Sequence, residues 1–288
     1  MRLKMDAVFV PTGNAGKLRE FEHAFALQKK DCIGLKKAAE LLREKFSWVT
    51  PVEDRQTFAG NGYRKLVASI RMLDDLSGFG VNSALVDDSG LCLPALNNRP
   101  GVHSANLAGE PRDDARNRKF LIELLTKNAN TTGEIRESAY FVCSLLIASR
   151  LDSAPTSETR VWTNQDEILS RLESVEAEIM NRLKARVSTI ASAAYATKLH
   201  FLQTERHYRL DLVMGFCTGQ VSTVEQELLE GEGHGYDAMF YPKASPGLSF
   251  ASIPLAEKNR MSHRSEALRG LNEWAKFRTA QGEIQELF

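Results

Sequence analysis

The chain has 288 residues, 43% of them hydrophobic, with 37 basic side chains set against 37 acidic ones. That balance creates no global field to recruit nucleic acid or an anionic membrane, and the length suffices for one large core or a domain with an insert. No run of about 18 apolar residues occurs, which argues against a transmembrane helix, and residues 1–6 lead into no signal-peptide pattern. Cys32, Cys92, Cys143 and Cys217 lie far apart without metal-ligand spacing, as expected of reduced, mostly buried thiols in a cytoplasmic protein.

Taken in chain order, Ala7-Val8-Phe9-Val10 predicts a short buried strand. It enters Pro11-Thr12-Gly13-Asn14-Ala15-Gly16-Lys17 and then a helix over 16–29. Strand, Gly-containing loop, lysine and helix is a layout that cradles phosphate, since backbone N–H groups, the helix N-terminus and an ammonium converge. The Gly-Lys-Ser/Thr of a P-loop is absent, and an ordinary strand-to-helix connection fits equally well. A helix over 60–75 and a strand over 83–87 follow. The strand is expected to end at Asp87-Asp88-Ser89-Gly90, placing two carboxylates at its C-terminal end as a base or metal ligand, or in a solvated turn. A long ordered loop over 97–109, a helix over 111–127 and a strand over 138–149 complete a strand–helix alternation that predicts an α/β layered fold.

Between Thr156 and Met214 there is neither Gly nor Pro. Ile168, Leu172, Val175, Ile179, Leu183, Val187 and Ile190 step by four or three, the stripe of an amphipathic helix, with Asn164 and Glu167 spaced as a capping box. A second helical piece is expected around 191–206. The stripe can pack on the chain's own body, on a second chain, or beside nucleic acid contacted by Arg171, Arg182, Lys184 and Arg186. Glu173, Glu176 and Glu178 offset those charges. Leu210, Leu212 and Met214 alternate in what reads as a hairpin over 210–224, and turns are expected at Gly215, Gly219, Gly231, Gly233 and Gly235. Finally, Gly235-Tyr236-Asp237 offers an aromatic and a carboxylate, Lys258, His263 and Arg264 are donors, and Ser262 suits a helix N-cap.

The segments Thr12–Lys17, Thr57-Phe58 to Asn61 and Lys65, Asp87–Leu91, Pro100–Ala105, Gly235–Asp237, and Glu257-Lys258-Asn259 to Ser262-His263-Arg264 occur in one order. Together they resemble the inosine triphosphate pyrophosphatase family over about residues 1–150 and 210–275. The resemblance implies an α/β fold: a mixed central sheet flanked by helices, and two lobes with an active-site cleft. The pyrophosphatase domain would span 1–151 and 209–288, interrupted by an inserted helix or helical hairpin over 152–208. It implies a cytoplasmic homodimer that hydrolyses inosine, deoxyinosine and xanthosine triphosphates to the monophosphate and pyrophosphate with Mg²⁺, without membrane or nucleic-acid partners.

In that reading Asp88 is general base and, with Glu53, metal ligand; Lys65 joins Asp88 in catalysis. Thr12, Gly13, Asn14, Ala15, Gly16, Lys17 and Ser89 bind phosphates. His234, Gly235, Tyr236, Asp237, Lys258, His263 and Arg264 bind the nucleoside. Three departures bear on this: His234 replaces an aromatic, Gly60 stands where a Glu is frequent, and Ala238 replaces a proline. They keep two alternatives open, a nucleotide-binding or assembly module with residual catalysis, and a pyrophosphatase with altered base choice.

Overall fold

The computed structural model describes residues 7–27, 29–131, 133–203, 205–226, 235–277 and 281–288. The readings made of residues 1–6, Gly231, Gly233 and His234 lie outside these. In chain order the elements are β1 (Ala7–Val10), α1 (Ala15–Leu27), β2 (Cys32–Gly34), α2 (Leu35–Leu42), α3 (Phe58–Leu76), β3 (Val81–Leu93), β4 (Arg99–Pro100) and α4 (Asp114–Ala129). There follow β5 (Arg136–Arg150), β6 (Val161–Trp162), α5 (Gln165–Lys184), β7 (Ser192–Gln203), β8 (Arg206–Ser222), β9 (Phe240–Pro242), α6 (Leu255–Met261), α7 (His263–Trp274) and β10 (Gln285–Glu286).

The strands form one mixed sheet in the order β10-β7-β8-β5-β3-β1-β2. β1 runs parallel to both β2 and β3, whereas β3, β5, β8 and β7 are successively antiparallel. Period-two alternation sorts the side chains. Val86, Val142, Leu146, Tyr195 and Met214 face α3 and α5 in one core. Leu85, Leu145, Ala196 and Val213 face α1 and α7 in a second, with Phe21, Phe25, Ala267 and Trp274. At the far end of the long strands Leu91, Leu93, Phe141 and Phe240 meet Leu121 and Leu125 of α4 in a third. Each fully buried large apolar side chain contributes about 1.5–3 kcal/mol. Among the described residues no helix is long and apolar enough to cross a membrane.

Three sequence expectations change. First, β3 does not stop at Ser89-Gly90 but continues to Leu93, paired with β5 from Ser83 to Cys92. Second, residues 192–203 are strand β7, not helix. Their alanines reflect a close approach rather than helix propensity: a Cβ added to Gly270 of α7 would sit 2.9 Å from the Ala194 Cβ. Tyr195, Leu199 and Phe201 meanwhile alternate into the α3–α5 core. Third, 210–224 is no hairpin by itself. β8 is a single strand whose hairpin partner is β7, and Gly215 and Gly219 lie within it rather than in turns.

The stripe prediction holds over α5, whose Ile168, Leu172, Val175, Ile179 and Leu183 all enter the core shared with α3, but the helix ends at Lys184, so Val187 and Ile190 follow it in non-helical chain and pack half-buried against the same core. Asn164 caps it by accepting from the backbone N of Asp166 and Glu167. That face is therefore spent within the chain and is not free for a second copy or nucleic acid.

Candidate active site

β1 pairs with β3 only as far as Ala84. Beyond that point β3 keeps β5 on one side, and β4 joins it only at Cys92 and Leu93. Asp87 and Asp88 lie in this stretch, buried, and adjacent strand residues face opposite ways. Asp87, on the α1–α7 side, accepts from Lys17 Nζ at 2.7 Å and Ser89 Oγ at 3.2 Å. The Arg264 guanidinium lies 3.6 Å away and is itself held by Glu20 at 3.0 and 3.2 Å. Burial alone would raise the acid's pKa, but the Lys17 and Arg264 charges hold it well below the usual carboxylate range.

Asp88 faces α3. It accepts from Lys65 Nζ at 3.2 Å and Asn61 Nδ2 at 3.4 Å. The same ammonium reaches Glu53 Oε2 at 3.0 Å and the Asp87 carbonyl at 3.2 Å. Burial pushes the Asp88 pKa up to about 6; Lys65 opposes this and nearby Glu53 reinforces it. Two neighbouring carboxylates are thus driven apart, one held ionised and one made a stronger base, the pattern by which acid–base roles are divided. No group of three or more His, Cys, Asp or Glu poised around a single metal position occurs among the described residues. Glu53 and Asp88 instead share the Lys65 ammonium.

Two predicted segments interlock beside this pair. Ser104 Oγ accepts from Leu91 N at 2.9 Å and donates to the Gly101 carbonyl at 2.6 Å. Gly90 must lack a side chain, because a Cβ there would strike that carbonyl and lie 2.7 Å from Ser104 Oγ. In the N-terminal loop, Asn14 Oδ1 accepts from Gly16 N and Lys17 N, and Thr12 Oγ1 accepts from Asn14 N. The expected donors at the start of α1 are therefore satisfied by Asn14, while Gly13 is open, with no heavy atom within 4 Å of an added Cβ.

The C-terminal segments gather next to it. Gly235 takes φ +60°, its N donating to Asp114 and its carbonyl accepting from Arg118. Tyr236 is buried, its hydroxyl donating to the Ser104 carbonyl at 3.0 Å. Asp237 pairs with Lys258 at 2.5 Å. Ser262 caps α7, accepting from Ser265 N. The His263 ring stacks on Phe141 at 5.0 Å between centroids, with no partner for Nδ1. Burial, with Arg264 and Lys258 nearby, holds it neutral.

The structure thus brings Lys17, Glu53, Lys65, Asp87, Asp88, Ser89 and Arg264 into one cluster, with Tyr236, Asp237, Lys258 and His263 in adjoining contacts. Sequence reasoning missed Glu20, Asp114 and Arg118, which hold Arg264 and Gly235. It also read Glu173 and Glu176 only as offsetting charges. A signal for Glu176 was present: it stands four residues after Leu172 and three before Ile179, on the buried stripe.

The profile of the Ham1 family matches residues 8–165 and 146–274. A dITP/XTP pyrophosphatase of Gluconobacter oxydans is 30% identical over 261 residues, 91% of this chain and 86% of that one. One of Chromobacterium violaceum is 28% identical over 268 residues, covering 92% and 95%. Among solved structures, a HAM1 protein from Coxiella burnetii shares the fold at a TM-score of 0.61 and 20% identity, covering 94% of this chain and 99% of that one.

Proposed function

The chain belongs to the Ham1 family, and from that premise we propose that it is a nucleoside triphosphate pyrophosphatase acting on inosine, deoxyinosine and xanthosine triphosphates. The observation that carries this reading is the arrangement on β3, where Lys17 and Arg264 hold Asp87 while Asp88, on the opposite face, shares the Lys65 ammonium with Glu53. A triphosphate needs positive charge at its oxygens, and the ammonium groups of Lys17 and Lys65 can turn from their carboxylates to phosphate. Ser89 and the Thr12–Gly16 backbone add donors once Asn14 releases them. Water attacks the α-phosphorus, its proton passes to Asp88, and the bond to the bridging oxygen breaks to release pyrophosphate. General-base assistance of this kind contributes about 10²–10⁴-fold.

The donor set suits Mg²⁺. Glu53 and Asp88 offer hard carboxylate oxygens that share a single cation, and Mg²⁺ binds through one or two carboxylates plus phosphate oxygens. When bound it would offset the charge that the phosphates develop. Base choice is assigned to His263 and Arg264, which can donate to the oxygen at position 6 of inosine or xanthosine. Adenine would leave a buried donor unpaired, a cost of about 1–3 kcal/mol. The cytoplasmic homodimer implied by the resemblance belongs to the same proposal.

Pyrophosphate release across a panel of nucleoside triphosphates with Mg²⁺ tests the reading. Turnover of inosine and xanthosine triphosphates with adenosine triphosphate spared is expected. Equal rates on all bases would overturn the base assignment, and no release from any would overturn the enzyme.

A further inference from the structure

We propose that α5, from the segment between β5 and β8, is part of the catalytic machinery, and that Glu173 and Glu176 are positioning residues for Asn61, Lys65 and Glu53. The inference rests on the pyrophosphatase reading for what those residues do, but not for where they are held.

A helix begins with N–H groups that have no intrahelical partner. At the start of α3 those of Phe58, Ala59 and Gly60 are met. Gly60 N donates to Thr57 Oγ1, while Phe58 N and Ala59 N donate to the Glu176 carboxylate at 3.1 and 2.6 Å, a residue nearly 120 positions later and only 4% exposed. Glu173, one turn earlier on α5, binds the Arg55 guanidinium at 3.1 and 3.3 Å and accepts from Thr57 Oγ1 at 3.3 Å. Arg55 N in turn donates to Asn61 Oδ1 at 2.9 Å. α5 therefore grips both the segment that carries Glu53 and the first turn of the helix that carries Asn61 and Lys65.

Position 60 is shaped for this grip. A Cβ on Gly60 would sit 2.8 Å from Glu173 Oε1 and 2.5 Å from Thr57 Oγ1. The absence of a side chain at 60, where the resemblance leads one to expect Glu, is what admits the carboxylate from α5. Lys17 and Arg264 belong to α1 and α7 and do not depend on this contact. Losing it should disturb the Asp88 side of β3 and spare the Asp87 side.

The test uses full-length Glu173→Ala and Glu176→Gln. The Glu173 side chain is 26% exposed, so its variant keeps the fold, which far-UV circular dichroism verifies. For inosine triphosphate kcat should fall about tenfold or more, since a displacement of about 1 Å in a catalytic group can cost 10²-fold, a larger factor than the rise in KM from a displaced Lys65. Hydrogen exchange provides a readout independent of activity: in Glu176→Gln the amides of residues 58–60 should exchange faster while those of 66–76 stay protected. Wild-type kcat in both variants, or lower melting temperatures with unchanged kcat, would reduce α5 to a structural brace and overturn the proposal. Unchanged protection at 58–60 would overturn it too. A wild-type protein that hydrolyses no nucleotide would instead sink the pyrophosphatase reading, and the exchange result would still decide the positioning claim.

Discussion

At the scale of single residues, the pair on β3 shows how one backbone step can assign two roles. Asp87 and Asp88 share burial but not surroundings: Lys17 and Arg264 approach the first, and the second shares Lys65 with Glu53. Asp88→Asn keeps the shape of the side chain and removes its capacity to take a proton. Turnover should therefore fall about 10²–10⁴-fold while the melting temperature changes little. Near-full activity of the variant in steady-state assays with Mg²⁺ would remove Asp88 from the role of base. Lys17, Asp87, Asp88 and Ser89 were legible because they lie in short segments with recognisable loop, turn and strand chemistry, whereas Glu53 and Lys65 came only with the family resemblance. Glu20 was not, because nothing in a helical stretch marks the one glutamate that reaches a guanidinium 244 positions later.

At the scale of elements, α5 and β7 mark where periodicity informs and where it misleads. The stripe from Ile168 to Leu183 was long enough to identify a buried helical face. Ser192–Gln203 is rich in alanine, and its period of two is blurred because both faces are buried, so the strand was not legible there. The glutamate on the buried face of α5 has an energetic consequence. Burial pushes the Glu176 pKa up from 4.5 to about 7, even though the Ala59 and Phe58 amides favour the ionised form. Below pH 4.5 the group is protonated whether the chain is folded or not, so it adds no pH dependence. Between 4.5 and 7 the unfolded chain has released the proton and the folded one retains it, so stability falls as pH rises; above 7 it levels off. Over that window wild type should lose up to about 3 kcal/mol relative to Glu176→Gln in urea unfolding. A difference independent of pH, or one growing in the opposite direction, would show that Glu176 is ionised throughout.

At the scale of the whole molecule, the segment between β5 and β8 decides what kind of protein this is. Read as sequence, residues 152–208 contain none of the candidate catalytic positions. In three dimensions the segment is integral to a core and to the sheet. α5 fills the core over α3, and β7 covers one edge of β8 from Arg206 to Cys217 while carrying β10 on its own far side. Distance along the chain hid this: the place of Glu176 on the stripe marks it as buried, but nothing local to either segment names Phe58 and Ala59 as its partners. The five apolar stripe residues of α5 alone represent about 8–15 kcal/mol of burial, as much as the net stability of a typical domain. Replacing residues 153–203 with a Gly-Ser linker should therefore abolish cooperative unfolding in calorimetry and the near-ultraviolet circular dichroism signal, and activity with them. The point variants of Glu173 and Glu176, by contrast, should remain folded. A deletion protein that melts cooperatively near the wild-type temperature and retains turnover would show the segment to be an appendage, and α5 would then have no part in holding the site.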